Sequence, residues 1–467
     1  MIEFEFADLH CHPTLKAYGR SFDKSNVYPD RSSIWYQKNP GYLTLFLQRF
    51  LGITRFSQAD LSSMASGRVR IAFVSLYPFE KSFFFTRWLP DPVSALVASW
   101  VTSIGRQRVY HLQQHKNYFE DLMGELRFLE QSSRQHLVNG TSCSWDFLKN
   151  PSALSGKLKR HVHVIPTIEG AHILNTGLRS FGRHTSREEV FENIRQLKLL
   201  PHPPIFITLA HNFNNELCGH APSLQGLGVI LDQSENLGCG FSRLGWEVMA
   251  KLLDPSKGAS IYIDLKHMSL TARKEFYPWH KSQWPDCPFV VSHGAFTGCR
   301  MSEASIAHPD FAADEINFFD EELLELARSQ GVFGLQLDAK RLAPKRKIRK
   351  SIIPAPRKKR IRRAARILWS QIRHAAEVLD AHGLPAWDTL CIGSDFDGTI
   401  DPLDGIWSAR ELNVLANALL DCASDYLRGA PSLRMESNRQ TAPETILHKF
   451  TIDNARRFLQ RHWSTCC

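Results

Sequence analysis

From Val162 onward the sequence alternates short apolar segments with segments of helical periodicity, and this alternation constrains the fold more than any other feature. Strands that alternate with helices indicate a parallel sheet covered by helices. With two apolar segments nearer the N-terminus, we predict eight strands, at residues 2–9, 69–76, 162–168, 205–210, 260–266, 288–292, 332–337 and 389–394. Eight strand–helix units predict an α/β fold, a closed (β/α)8 barrel of the TIM type, although counting alone also allows an open doubly wound sheet.

We predict a single barrel domain over residues 1–467 that carries three insertions. Residues 17–67 are rich in aromatic and turn residues without a clear period, which predicts a loop elaboration near the first strand. Residues 85–150 form an insertion whose helical periodicity runs from Asp91 to about Gln135. Residues 340–363 hold 13 lysines and arginines, three prolines and no acidic residue, so we predict a mobile basic loop there.

The net charge of +10 is concentrated in that basic loop, and the rest of the chain is mildly acidic. The loop lacks the interleaved aromatic residues that stack on bases, so nucleic acid or an anionic surface is a disfavoured partner. The ten cysteines include no Cys-x-x-Cys pair, which predicts reduced thiols. No segment is apolar enough to span a membrane and the N-terminus is acidic, so a soluble cytoplasmic protein is expected.

Side chains able to bind metal stand at the carboxyl ends of six predicted strands. They are His10, His12, Glu169, His211, His267, His293 and Asp395. In a parallel barrel all these ends open onto one face, where barrel enzymes place their active sites. Because side chains alternate along a strand, His10 and His12 point the same way and can bind one ion together.

Imidazole and carboxylate ligands favour zinc, although manganese or iron tolerates the same ligands. A single carboxylate such as Glu169 can bridge two ions about 3.5–4 Å apart. Such ions lower the pKa of a bound water from ~15.7 towards ~7, which makes hydroxide available at neutral pH. Asp395 is placed to take the proton and pass it to a leaving amine, while His211 and the ions stabilise the developing oxyanion.

Four other side chains could also bind metal or take part in catalysis, and each has its own interpretation. His161 and His163 also form a His-x-His pair, but they begin a strand, so we expect them to be structural or exposed. Asp397 shares a motif with Asp395 and is the alternative catalytic carboxylate. Cys11, between two predicted ligands, is expected to pack against the barrel wall.

Seven motifs, in order, resemble those of the membrane (renal) dipeptidase family of zinc metallopeptidases. They are DLHCHPT, IEGAHIL, ITLAHNFN, GFSRLGWEVM, YIDLKHMS, VVSHGAF and IGSDFDG, and the likeness covers roughly residues 2–12 and 160–400. The resemblance implies an amidohydrolase-like barrel with two divalent ions. It implies that one ion is bound by His10, His12 and Glu169, and the other by Glu169, His267 and His293, with His211 and Asp395 assisting catalysis. It also implies a homodimer.

The sequence departs from the family pattern at three places. His12 stands where the family has aspartate, which makes the first ion site less negative. Ile316 stands before Asn317, where the family has an arginine that holds the substrate carboxylate, and Arg300 in the same connection is our candidate substitute. The basic loop is the third departure.

The favoured function is hydrolysis of the amide bond of a dipeptide or similar small amide by a metal-activated water. A phosphoesterase on the same two-metal barrel is the alternative enzyme, because His-x-His after a first strand also opens several phosphatase folds. The alternative outside catalysis is a barrel that acts as a binding protein through residues 340–363.

Overall fold

Ten strands are present in the computed structural model, which describes residues 1–25, 29–85, 90–155, 160–224, 231–303, 308–352, 355–429 and 431–462. In chain order they are β1 (Phe6–Cys11), β2 (Val69–Leu76), β3 (Gln135–Val138), β4 (Thr141–Phe147), β5 (His161–Glu169), β6 (Phe206–Thr208), β7 (Tyr262–Asp264), β8 (Val290–Gly294), β9 (Val332–Leu335) and β10 (Leu390–Ile392).

Eight of these strands close into a parallel barrel, which confirms the predicted fold. Pairing runs β2–β1–β10–β9–β8–β7–β6–β5, and β5 pairs back to β2 from Ile71 opposite His163 to Leu76 opposite Ile168. The barrel strands are buried along almost their whole length, because both faces are covered, by the barrel interior and by the helical ring. This double burial explains their continuous apolar runs.

Helices connect the strands and form the outer ring. They are α1 (Leu15–Ser21), α2 (Tyr42–Leu51), α3 (Leu61–Ser66), α4 (Asp91–Thr102), α5 (Arg106–Gln114), α6 (Tyr118–Gln131), α7 (Arg187–Lys198), α8 (Arg243–Leu253), α9 (Leu270–Gln283), α10 (Asp320–Arg328), α11 (Ala339–Leu342), α12 (Lys345–Ile352), α13 (Arg357–Ala381), α14 (Leu412–Arg428), α15 (Glu436–Arg439), α16 (Pro443–His448) and α17 (Asn454–His462). Within the described residues, no helix combines the length and apolarity that a membrane span requires.

Two insertions predicted as loops contain helices. Residues 17–67 include α2 and α3 as well as part of α1, and the basic segment 340–363 includes α12 and the start of α13. In the basic segment, Ile348 and Ile361 are buried and give the charged helices an apolar side. The helical periodicity predicted from Asp91 is confirmed by α4, α5 and α6, whereas the hairpin β3–β4 was missed.

Two aspartates inside the barrel tie neighbouring strand ends together in the same way. Asp8 of β1 accepts hydrogen bonds from the backbone N–H of Ser394, at 2.8 Å, and from its hydroxyl. Asp264 of β7 accepts from the backbone N–H and the hydroxyl of Ser292 in β8, at 2.9 and 2.6 Å. Each serine immediately precedes a predicted site residue. We call these two contacts the Asp–Ser clasps.

Removal of the Asp264 clasp should lower the free energy of unfolding measurably. Asp264→Ala leaves the buried donors of Ser292 and Thr208 without their carboxylate acceptor. We expect the apparent free energy of unfolding in urea, followed by circular dichroism, to fall by about 2–4 kcal/mol. The control Asp286→Ala, at an exposed position, should change it by less than about 0.5 kcal/mol. Equal losses in the two variants would contradict the clasp.

Candidate metal centre

The seven predicted site residues converge at the carboxyl-terminal mouth of the barrel. His10 and Glu169 lie in β1 and β5, His293 lies in β8, and the others follow the ends of β1, β6, β7 and β10. All seven side chains are buried, none more than 9% exposed. The barrel therefore gathers side chains that lie up to 385 positions apart in the sequence into one buried cluster.

Glu169 stands at the centre of this cluster and contacts five imidazoles. Its Oε2 lies 3.3 Å from Nε2 of His12. Its Oε1 lies 3.4, 3.5, 3.6 and 3.7 Å from Nε2 of His10, His211, His267 and His293, respectively. The two carboxylate oxygens thus face different imidazole groups, the arrangement expected of a bridging ligand.

Asp395 lies at the side of the cluster next to His10 and His12. Its Oδ1 lies 3.9 Å from Nε2 of His10 and 3.6 Å from Nε2 of His12. The two imidazole nitrogens are themselves 3.0 Å apart. Three overlapping sets of donors lie close enough to hold a cation, and these are His10–His12–Asp395, His10–Glu169–His293 and Glu169–His211–His267.

The electrostatics divide the histidines into two kinds. Burial alone would lower the pKa of His12, but hydrogen bonds to Asp395 and Glu169 outweigh burial and raise it to about 10. Burial lowers the pKa of His267 and of His293, and the positive charges of neighbouring histidines lower both further. His267 and His293 are therefore neutral at neutral pH, which is the form of imidazole that binds a metal.

Glu169 is ionised despite its burial. Burial raises its pKa, but the charges of His211 and His10 and the hydrogen bonds from His10 and His12 outweigh burial and hold it well below the ordinary value. A buried carboxylate of this kind is stable only where cations compensate it. In this site the surrounding imidazoles supply that compensation.

Hydrogen-bond partners behind His12 and His293 orient their rings. Nδ1 of His12 donates to the backbone carbonyl of Ser75, at 3.0 Å, so that its Nε2 points into the cluster. Nδ1 of His293 is 2.9 Å from the hydroxyl of Ser292, which belongs to an Asp–Ser clasp. Such partners raise ligand basicity and are typical of metal sites.

Two polar residues of the site were missed in the sequence. Glu80, four residues beyond β2, accepts from Nδ1 of His211 at 2.6 Å. Gln336, directly after β9, donates its amide to Oδ2 of Asp395 at 2.7 Å. β2 and β9 are the two barrel strands to which we had assigned no polar end residue. A search for polar residues just beyond the ends of these two strands would have found both.

The other sequence candidates lie elsewhere. Asp397 binds Nζ of Lys16 at 2.6 Å and the backbone N–H groups of Gln58 and Ala59, so its oxygens are used in anchoring loops. His161 and His163 lie at the opposite end of β5 and share Oδ1 of Asp146, at 2.9 and 3.0 Å.

Two further candidates also lie outside the cluster. Cys11 is buried and its thiol contacts the carbonyl of Phe73. Arg300 is exposed in the loop after β8, and Ile316 is fully buried.

The fold and the site together define a barrel with a buried histidine–carboxylate cluster at its mouth. The donors fit divalent metal ions, because the set combines neutral imidazole nitrogens with ionised carboxylate oxygens that lie within 4.8 Å of one another in each set. Burial of so many ionisable side chains lowers the stability of the fold, so stability alone does not account for the cluster.

Two solved structures of similar fold are metallopeptidases. One is the metallopeptidase dipeptidase AC of peptidase family M19, with a TM-score of 0.54 and 15% sequence identity over 98% of this chain and 99% of that one. Another is a metallopeptidase from Rhodobacter sphaeroides, solved with a phosphinate mimic of the dipeptide L-Ala-D-Ala, with a TM-score of 0.53 and 16% identity over 99% and 100% of the two chains. This likeness confirms, at the level of the fold, the resemblance seen in the motifs. No family model matches the sequence, and no curated protein matches it.

Metal content tests the role of Glu169. Glu169→Ala removes the carboxylate that every histidine of the cluster faces, so we expect bound divalent metal, measured by inductively coupled plasma mass spectrometry, to fall at least tenfold. His382→Ala, at an exposed position outside every candidate group of metal ligands, is the control and should retain the metal content of the unmodified protein. Unchanged metal in Glu169→Ala would refute this assignment, provided its circular dichroism spectrum is native.

Proposed function

We propose that this protein is a metal-dependent dipeptidase that hydrolyses the amide bond of a dipeptide or similarly small amide. The observation that carries the proposal is the position of Glu169, whose two oxygens face separate imidazoles within 3.7 Å. Similarity of fold to two metallopeptidases, one of them solved with a dipeptide mimic, supports peptides as the substrate class.

The proposed cofactor is a pair of zinc ions that share Glu169. His10 and His12 would hold one ion with it, and His267 and His293 the other. When bound, the ions would activate a water and polarise the substrate carbonyl. As a metal ligand His12 would be a neutral imidazole where an aspartate would be negative, so this chain would offer the first ion one negative charge fewer.

Asp395 is the proposed proton acceptor. Gln336 occupies its Oδ2, at 2.7 Å, and leaves Oδ1 on the side of His10 and His12. The side-chain oxygen Oε1 of Gln336 in turn accepts from Nζ of the buried Lys266, at 3.4 Å. This chain of contacts orients one carboxylate oxygen towards the reacting water, from which it takes a proton for the leaving amine.

His211 is the proposed stabiliser of the oxyanion. Burial lowers its pKa, but the charges of Glu169 and Glu80 outweigh burial and raise it to about 10. At neutral pH His211 is therefore an imidazolium, which donates to Glu80 through Nδ1. Its Nε2–H faces Oε1 of Glu169 at 3.5 Å, and a substrate oxygen would take this donor in the proposed reaction. Glu80 is itself held by the backbone N–H groups of Asn212 and Phe213.

Arg341 is a better candidate than Arg300 for holding a substrate carboxylate. It lies in α11, just beyond β9, on the same face as the cluster. Its Nη2 donates to the carbonyl of Ser223 at 2.5 Å. Its Nη1 is buried without a hydrogen-bond partner among the described residues and lies 3.7 Å from Oδ2 of Asp314. After burial, its charge is the largest cause lowering the pKa of Lys266 to about 7, which places the two cations close together. This pair is suited to an anionic end of a small peptide.

Hydrolysis of a dipeptide panel, including dipeptides with D-residues at the C-terminus, tests the function directly. We expect amino acids to be released by the zinc-loaded protein, and kcat to fall about 10²–10⁴-fold in Asp395→Asn because the proton acceptor is lost. Asp286→Asn, at an exposed position outside the cluster, should retain full activity. If no dipeptide of the panel is hydrolysed and a generic phosphodiester is cleaved instead, the proposal is overturned in favour of a phosphoesterase.

The carboxylate assignment is tested separately. Arg341→Met removes a charged hydrogen-bond donor worth about 1.5–3 kcal/mol, so KM for a dipeptide should rise about 10- to 100-fold. Arg300→Met should leave KM within twofold. The opposite pattern would return the role to Arg300. Dipeptide amides, which lack the carboxylate, should lose little in either variant.

A further inference from the structure

A second group of side chains able to bind metal lies at the amino-terminal end of the barrel. It consists of Asp146 in β4 and of His161 and His163 in β5. Nε2 of His161 and Nδ1 of His163 lie 2.9 and 3.0 Å from Oδ1 of Asp146, and the three donor atoms all lie within 4.8 Å of one another. About 26 Å of extended strand separates His161 from Glu169 at the mouth. We call this group the β4–β5 site.

The register of two parallel strands brings these side chains together. Ser144 of β4 lies opposite His161, and Asp146 lies opposite His163. Because residues two apart share a face of a sheet, all four side chains lie on the same side. The side chains of His161 and His163 are 16% and 7% exposed, and that of Asp146 is 55% exposed. Two largely buried imidazoles and one exposed carboxylate therefore converge at a point that solvent can reach.

The β4–β5 site has the same construction as one part of the candidate metal centre. In both places a His-x-His pair on one strand meets an aspartate from the neighbouring parallel strand or from the residues just after it. The ring centres of the two pairs are 4.8 Å apart in β1 and 4.6 Å apart in β5. Asp395 lies 3.6 and 3.9 Å from its histidines, so Asp146 is the closer carboxylate.

The charges of the ligands are those that a metal ion requires. Burial and the charge of His161 lower the pKa of His163, so this imidazole is neutral at neutral pH. Burial raises the pKa of Asp146, but the hydrogen bond from His161 and the charge of His161 outweigh burial and hold it below the ordinary value. A neutral imidazole and an ionised carboxylate are the forms that bind a metal.

A hydroxyl group behind His161 orients its ring. Oγ of Ser144 lies 2.8 Å from Nδ1 of His161. When Nδ1–H donates to this hydroxyl, the lone pair of Nε2 faces the lone pairs of Asp146 Oδ1. Such an arrangement is stable only with a proton or a metal ion between the two atoms. Partners of this kind on the second ring nitrogen are typical of histidines that bind metal.

The surroundings select the type of metal. The charges of Arg134 and Arg456 act on Asp146 and His163, respectively. An ion cannot therefore be held here by negative potential alone, and it must form bonds with the imidazole nitrogens. Magnesium and calcium bind through several oxygen ligands, whereas zinc binds imidazole nitrogen and carboxylate oxygen together. The composition of the β4–β5 site thus favours zinc.

We propose that Asp146, His161 and His163 bind an exchangeable zinc ion that has water as its fourth ligand. Zinc bonds at tetrahedral angles place neighbouring donor atoms about 3.3 Å apart, so the exposed Asp146 side chain needs to move outward by only a few tenths of an ångström. With three protein ligands, one of them exposed, this ion is released on dialysis before the ions at the mouth.

The proposed ion fastens the β3–β4 hairpin to the barrel. β4 pairs with β3 on one side and with β5 on the other, and β5 is a barrel strand. A metal bond between Asp146 and the two histidines adds a second link across the β4–β5 boundary. The site lies at the opposite end of the barrel from the mouth, and the proposal does not depend on the hydrolytic function.

Calorimetric titration of zinc into the dialysed full-length protein, with the mouth loaded beforehand, tests the proposal. We expect one further zinc ion to bind, and its affinity to fall at least tenfold in His161→Gln and in His163→Gln. Ser144→Ala should weaken it about tenfold, because the orienting hydroxyl is lost. The control His382→Gln, exposed and outside the candidate ligand groups of the described residues, should stay within twofold. Magnesium and calcium should give no binding.

Hydrogen exchange supplies a readout that does not depend on the count of ions. Addition of zinc should slow amide exchange in β3 and β4 of the unmodified protein, measured by mass spectrometry, but not in His161→Gln. Loss of zinc binding in variants that keep the melting temperature of the zinc-free protein supports the proposal. Absence of a further ion, or equal affinity in His161→Gln and the control, overturns it. If the histidine variants do not fold, unchanged zinc affinity in folded Ser144→Ala overturns it.

Discussion

The buried negative charge of Glu169 is the interaction on which the rest of the site depends. An ionised carboxylate at the centre of a barrel is unstable unless positive or partly positive groups surround it. Five imidazoles from four strand ends, those of β1, β6, β7 and β8, provide those groups, each within 3.7 Å. The barrel can therefore close with these residues at its mouth only if these four strands and β5, which carries Glu169, end at the same level. The charge of one residue fixes the geometry of the others.

The two Asp–Ser clasps help to hold neighbouring strand ends at the same level. Asp8 links β1 to the residue before Asp395, and Asp264 links β7 to the residue before His293. Both clasps use a carboxylate one layer beneath the functional residues, so the register of a strand pair and the position of a site residue are set together. This coupling explains why a polar interior is retained in a barrel whose strands are otherwise apolar.

The sequence was sufficient to predict the barrel and its cluster, because apolar runs locate the strands and the polar residue after each run locates the mouth. It was insufficient where the partner is distant in sequence. Nothing near Asp397 showed that Lys16 would pair with it. Glu80 was missed because it lies in a loop that becomes a neighbour of His211 only after folding. The basic helices were missed because their few buried residues, such as Ile348, are sparse among charges.

His267 and Asp395 both adopt left-handed backbone conformations, with φ of 66° and 59°. Residues with a side chain pay roughly 1–2 kcal/mol for this conformation, which glycine adopts freely. Selection for stability alone would therefore drift towards glycine at these two positions. A histidine and an aspartate stand there at an energetic disadvantage, next to a compensated buried charge. The mouth of this barrel thus stores backbone strain at two residues of the candidate metal centre.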